Sequence, residues 1–273
     1  MKTLNKVRQE LQIAGRWDID FHLPPEQIMK FPKTLLKRVD AVATIPKDKR
    51  DPSRAEGGTF QYIDISSVDV SVGAIVNPQD VECGEAPSRA RKVVRAFDLV
   101  ISTCRPTRGA IAVVPIHLHN EIASTGFSVV RPKAGVNPFY LQYALRLPST
   151  LEQFRKWSTG SSYPAILDED VAKTLIPVPS PQEQDRIAAL LVTAFRARER
   201  EIGRANVGWV RTLQSIASGL AGSATVAGFP DVEATVADDQ TPHTIESIEL
   251  LLSELPALVT DQVGVSEITL EDL

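Results

Sequence analysis

Apolar positions along the chain follow two regimes. Up to about residue 180, short apolar runs alternate with Gly, Pro and charged clusters; beyond Pro181 a single helical period takes over. Phe60, Tyr62, Ile63 and Ile65 are strand formers, as are Ala110–Ile116 and Phe127–Val130, and Leu99-Val100-Ile101 forms a further apolar run directly after Asp98. Pro138–Leu147, with Leu141, Ala144 and Leu145 at helical spacing, predicts a helix, and Leu151–Trp157 predicts another. Asp168–Leu175 reads as a short helix leading into a strand over Ile176–Val178. Upstream, Leu4–Ile13 predicts a short helix, Pro24-Pro25-Glu26 a helix start, and Lys47–Arg54, running into Gly57-Gly58, a surface loop. Strands mixed with short helices over about residues 17–180 predict one α+β domain.

Pro177, Pro179 and Pro181 punctuate the end of that unit. From Gln182 to Leu220, Ile187, Leu190, Leu191 and Ala194 lie on one helical face, and Ile202, Ala205, Trp209, Leu213, Ile216 and Leu220 continue the stripe. Unbroken, this helix would span about 58 Å. That is too long to bury its stripe on one small domain, so a coiled-coil-type partner helix is expected. Gly203 and Gly208 each weaken the helix by about 1 kcal/mol relative to Ala, which leaves open two shorter helices folded back on the domain. After Gly222, Ile245, Ile248, Leu251, Leu252, Leu255 and Val259 make a short amphipathic pattern, limited by Pro256, within an otherwise linker-like acidic tail.

Charge changes the picture more than composition does. The chain has 273 residues, 43% hydrophobic and 23% charged, with 30 Lys+Arg, 34 Asp+Glu and a formal charge of −4. Residues 1–222 hold all 30 bases and 23 of the acids, a balance of +7; residues 223–273 hold the other 11 acids and no base, a balance of −11. The overall value would argue against nucleic acid as a ligand, whereas a basic body with an acidic tail does not. Two cysteines, Cys83 and Cys104, fit a reducing compartment and exclude a Cys-rich zinc site. Met1–Arg16 is too polar for a signal peptide, and no apolar run approaches 18 residues. A cytoplasmic protein without membrane contact is expected.

Catalytic motifs are missing. There is no GxGxxG, no GxxxxGK[ST] and no GxSxG. His117 and His119 share a parity on the expected strand, with Glu121 two residues on, but three groups without a fourth make a weak metal signal. Asn137-Pro138-Phe139-Tyr140 resembles the Asn-Pro-Pro-aromatic motif of DNA amino-methyltransferases with the second Pro replaced; a turn in which Pro138 starts a helix explains it as well. The strongest positive signal is basic: six bases against one acid, Asp98, between residues 86 and 109. Arg89 and Arg91 would project on one side of an extended segment, and Arg is suited to bidentate bonds with phosphate or guanine. A solvated basic loop is the alternative.

An ordered series of fragments resembles a known family. It runs from Phe60-Gln61-Tyr62-Ile63-Asp64-Ile65-Ser66-Ser67-Val68-Asp69 through Glu85–Arg91, Phe97–Pro106, Ala123–Phe127 and Val130-Arg131-Pro132, and ends in Gly160–Pro164, Ile176-Pro177-Val178-Pro179, Glu183-Gln184 and Ile187. Over about residues 58–200 this is similar to the target recognition domain, with its stem helix, of type I restriction–modification specificity subunits. The resemblance implies a mixed α/β recognition domain at 58–180 and a stem or dimerisation helix at 181–222; a basic N-terminal extension at 1–57, expected to pack on the domain, and the acidic tail at 223–273 lie outside the family's pattern. It implies a non-catalytic subunit, with no cofactor of its own, that directs partner adenine methyltransferase subunits using S-adenosylmethionine, and a restriction or translocase subunit, to double-stranded DNA. One domain and one stem look like a half-subunit, expected to homodimerise or to pair with another half through residues 182–220 in a phage-defence complex. Ser88, Arg89, Arg91 and Arg105 fall in loops that the resemblance places near DNA. Lys92 and Arg108 join them on charge alone, and Tyr163 either stacks or packs. Competing readings are a methyltransferase or nuclease with an undetected site, and a regulatory decoy that sequesters methyltransferase subunits.

Overall fold

The run Leu99-Val100-Ile101 lacks the polar alternation of a half-solvated strand, and its place in the fold explains why. The computed structural model of the chain describes residues 19–23 and 25–222; the expected helix at Leu4–Ile13 and the apolar pattern at residues 245–259 lie outside them. Strand β8 (Leu99–Ser102) is central in a four-stranded antiparallel sheet, ordered β2 (Ala43–Thr44), β11 (Phe127–Pro132), β8, β9 (Ile111–Val113). Leu99, Ile101, Ile111, Val113 and Val130 face one way, onto a helical layer that supplies Phe139, Leu141, Leu145 and Phe154. Val100, Ala112, Phe127 and Val129 face the other way, onto Ile63, Ile75 and Ala123. A sheet covered on both faces needs apolar residues at both parities.

The second cover is another four-stranded sheet, ordered β6 (Gln79–Glu82), β3 (Thr59–Ile63), β10 (Ile122–Ser124), β7 (Ala90–Val93); β3 and β10 run parallel and the outer pairs antiparallel. Strands β4 (Val68–Asp69) and β5 (Ala74–Ile75) form a small hairpin beside them. The helical layer contains α3 (Pro138–Arg146), α4 (Pro148–Trp157) and α5 (Asp168–Lys173). Two four-residue helical turns precede these, α1 (Ile19–His22) and α2 (Val39–Val42). The architecture is the α+β class that the sequence predicts.

Three local expectations need correction. Glu26 leads into one 3-10 turn, Ile28–Lys30, because Phe31-Pro32 stops the helix there. The expected strand over 110–116 ends at Val113: Pro115 cannot donate to a ladder and instead precedes a 3-10 turn, Ile116–Leu118. His117 and His119 therefore do not share a strand face; His119 Nδ1 accepts from the Ala96 amide at 3.2 Å. Among the described residues no group of His, Cys, Asp and Glu is placed to hold a metal.

Packing also reaches further upstream than residue 58. Strand β1 (Leu36–Arg38) pairs antiparallel with β12 (Leu175–Pro177), Leu36 opposite Pro177, and Val39, Val42 and Ala43 enter the same core as Phe139 and Ile176. A chain closure of this kind between distant segments leaves no local signature in residues 36–44.

Helix α6 (Pro181–Ala221) is continuous through Gly203 and Gly208, so it is a single 41-residue helix of about 61 Å rather than a folded pair. Ser180 caps it, with Pro181 in the first turn. Its first turns are bolted to the domain: the Asn137 amide donates to Gln184 Oε1 at 3.1 Å, Asn137 Nδ2 donates to Asp185 at 2.8 Å, and Ala188 enters the core. Further out, Arg198 Nη2 donates to Ser71 Oγ at 3.3 Å. The distal stripe is open, with Trp209 65% and Leu220 86% exposed. Among the described residues no helix is long and apolar enough to cross a membrane.

Candidate nucleic-acid interface

Four loops meet at one end of the two sheets because their parent strands stop together. β8 ends at Ser102, which pairs with Phe127 at the start of β11, and β10 ends at Ser124 just before it. Thr103 donates twice to the Gly126 carbonyl, from its amide at 2.9 Å and its hydroxyl at 2.8 Å. The Thr125 amide donates to the Arg89 carbonyl at 2.8 Å, which binds the 86–90 loop to the 124–127 turn. On the other side, Cys104 bridges Ala165, the Ile166 amide donates to Thr103 O at 3.0 Å, and the Arg105 amide donates to Pro164 O at 2.7 Å. A ladder of main-chain bonds thus assembles Ser88, Arg89, Arg105, Arg108 and Tyr163 at one end of the domain.

The bases of the 86–109 segment divide into two groups there. Arg91 turns inward: Nη1 donates to Ala90 O at 2.7 Å and Pro87 O at 3.2 Å, and Nη2 lies 3.4 Å from Asp51. Asp51 is held below the usual carboxylate range, first by the Ser53 hydroxyl and then by Arg91. Lys92 is half-buried, with Nζ 3.5 Å from Asp168, and Arg95 Nη2 lies 3.7 Å from Asp48. Arg89 precedes β7 in a turn, so it does not share a strand face with Arg91. Ser88, Arg89 and Arg108 are exposed. Among the described residues no carboxylate forms an ion pair with Arg89, Arg105 or Arg108. In the sequence these six bases form one cluster, whereas the fold neutralises three of them and leaves three open.

Arg105 has a special setting. It takes the left-handed conformation, φ 49° and ψ 52°, caps the 3-10 turn Pro106–Arg108, and lays its guanidinium 4.7 Å from the centroid of the Tyr163 ring. Nη2 also reaches the Ser162 carbonyl at 3.4 Å. Tyr163 is 69% exposed, so its ring stacks under Arg105 and does not pack into the core.

Beside this end lies a groove of about 500 Å³, lined by Lys47, Lys49, Lys92, Thr103, Leu167 and Asp168 among others. Lys47 and Lys49 read in the sequence only as part of a charged loop. The main-chain bridge from Lys49 to Lys92 brings them to the edge of β7, and no local pattern could have announced it.

Asn137 is not available to a substrate. Its Oδ1 accepts from the amides of Phe139 and Tyr140 at 2.9 and 3.1 Å, its Nδ2 is taken by Asp185, and the residue is buried. It is a helix cap with Pro138 in the first turn, as the simpler reading of the motif has it.

Comparisons with known proteins agree on one family. Residues 37–203 match the type I restriction modification DNA specificity domain. The specificity subunit of the type I restriction enzyme HindI from Haemophilus influenzae is 26% identical over 130 residues, 45% of this chain and 28% of that protein. The specificity subunit of the type I restriction enzyme MjaIX from Methanocaldococcus jannaschii is 33% identical over 85 residues, 31% of this chain and 20% of that protein. Among solved structures, the HsdS subunit of Thermoanaerobacter tengcongensis superposes with a TM-score of 0.54 at 36% identity, covering 71% of this chain and 51% of that one. A chain from a structure addressing complex assembly and conformational transition of the type I R-M system gives a TM-score of 0.56 at 37% identity, with the same coverage of 71% and 51%. The chain thus spans about half the length of these solved relatives and less of the curated ones. With its central sheet, helical layer and stem accounted for, the chain belongs to the type I restriction modification DNA specificity domain family.

Proposed function

We propose that this chain is a non-catalytic DNA-recognition subunit of a type I-like restriction–modification or methylation-based defence complex. It reads double-stranded DNA with the loops gathered at the β8–β10–β11 end of its domain. The observation that carries this reading is the set of three unneutralised arginines, Arg89, Arg105 and Arg108, at one end of a domain that the family match covers. Bases left without carboxylates on a rigid scaffold suit phosphate and base-edge acceptors. Ser88 and Tyr163 belong to the same surface, while Arg91 and Lys92 contribute by holding their loop in place.

Methyl transfer belongs to partner subunits that bind S-adenosylmethionine, and cleavage to a restriction or translocase subunit; this chain directs both and works in the cytoplasm. Its stem, residues 182–220, pairs through the open distal stripe with the stem of a second copy or of another half-subunit, so that two recognition domains face a split target. The test is co-purification with the products of neighbouring genes, followed by mapping of modified bases in cells with and without this chain. Loss of one modified motif supports the reading; an unchanged pattern of modification refutes it.

A further inference from the structure

We infer that Arg105, stacked on Tyr163, reads a single guanine of the target through that base's major-groove edge; this rests on the duplex recognition proposed above. Three other bases of the same segment, and Arg131 on β11, are held by carboxylates: Arg91 by Asp51, Lys92 by Asp168, Arg95 by Asp48 and Arg131 by Asp98. Arg105 is held by an aromatic face and a distant carbonyl instead. The difference matters chemically. A carboxylate occupies the in-plane donors of a guanidinium, whereas an aromatic face orients the plane and leaves the edge donors free.

The backbone beneath is fixed on both sides. The Arg105 amide donates to Pro164 O at 2.7 Å, and its carbonyl accepts from the Arg108 amide at 3.0 Å. Pro106 follows directly, and Cys104 bridges Ala165. A non-glycine residue persists in the left-handed region when its surroundings hold it there. A phosphate contact needs charge and tolerates a mobile side chain, which exposed Arg89 and Arg108 already supply. A planar, pre-oriented fork matches the paired O6 and N7 acceptors of guanine, a contact that demands coplanarity with the base.

The experiment uses the full chain. Bound duplexes are selected from a random pool to obtain the preferred site, and each guanine in it is replaced in turn by 7-deazaguanine, which lacks N7 and keeps the backbone charge. One position should lose affinity by about 5- to 150-fold with the wild-type chain. In Arg105→Lys the same replacement should add little further loss. Tyr163→Phe should behave as wild type, and Tyr163→Ala should lose part of the discrimination at that position alone. Wild-type sensitivity retained in Arg105→Lys overturns the inference, as does a selected site in which no guanine responds. Uniform weakening on all duplexes with a salt slope lower by about one puts Arg105 on a phosphate and overturns it too. A pool from which the chain selects no sequence refutes the recognition reading itself. Should Arg105→Lys fail to fold, the 7-deazaguanine series with wild type and the two Tyr163 variants still decides.

Discussion

Arg131 donates to both carboxylate oxygens of Asp98, from Nε to Oδ1 and from Nη2 to Oδ2, each at 2.8 Å, at a site where Asp98 is 1% exposed. The Arg95 amide adds a third bond to Oδ2 at 2.9 Å. Burial still pushes the Asp98 carboxyl above its ordinary range, although Arg131 pulls the other way. Removing the guanidinium, as in Arg131→Met, leaves a buried, uncompensated charge and should cost about 3–5 kcal/mol. The sign of the pH dependence follows. A carboxyl raised in the folded state opposes folding once ionised, so the loss should be largest near neutrality and shrink as pH falls toward the ordinary carboxylate range. Urea unfolding of Arg131→Met at about pH 7 and about pH 5 measures it, and an equal loss at both would contradict the account.

Tyr140 is buried in the helical layer with its hydroxyl donating to Pro177 O at 2.8 Å, which ties α3 to β12. Burial pushes its pKa up to about 12. Because the folded value lies above the unfolded one, the contribution is complete below about pH 10 and is lost as pH rises through 12. Tyr140→Phe leaves a buried carbonyl unpaired and should cost about 1–3 kcal/mol at neutral pH. It should also flatten the decline of stability between about pH 10 and 12. Chemical denaturation across that range checks both statements.

Arg89 and Arg108 are exposed and make no ion pair among the described residues, whereas Arg91 is engaged inside the domain. Arg89→Ala and Arg108→Ala should weaken duplexes of every sequence alike and each reduce the salt slope by about one, without changing thermal stability. Arg91→Ala should instead loosen the 86–90 loop, seen as faster amide exchange at Arg89 and Ala90. Sequence-dependent losses from Arg89→Ala would move that residue from the backbone to the bases.

Trp209 and Ile216 lie one heptad apart on the exposed distal stripe of α6, beyond the turns bolted to the domain. If stem pairing holds two recognition domains together, Trp209→Glu with Ile216→Glu should shift the chain to a monomer in sedimentation at micromolar concentration. The unfolding transition of the domain should stay in place. An unchanged mass would point to another surface.

The 11 acids and absent bases of residues 223–273 oppose a body with a balance of +7. Truncation after Gly222 should therefore tighten binding to duplexes of arbitrary sequence. The gain should be largest at low salt and vanish as the Debye length falls below about 8 Å. Weaker binding after truncation would give the tail a positive role in the complex.

Local order was legible in advance because its causes are local. Pro138 announces the start of α3, and the i, i+3/i+4 stripe from Ile187 to Leu220 announces the stem and sets its length. The family resemblance rests on the same kind of short-range pattern. What escaped was decided by segments far apart in the chain. Val39 and Val42 joined the core once β1 found β12, and Lys49 reached the groove by pairing with Lys92. The sequence by itself determined a basic cluster at 86–109, a strand-rich α+β unit and a long amphipathic stem. Only the tertiary structure decided which bases remain available, because the carboxylates that neutralise Arg91, Lys92 and Arg95 and the ring that orients Arg105 all come from other segments of the chain. Charge is a property of residues, but its availability to a ligand is a property of what the fold sets within a few ångströms of it.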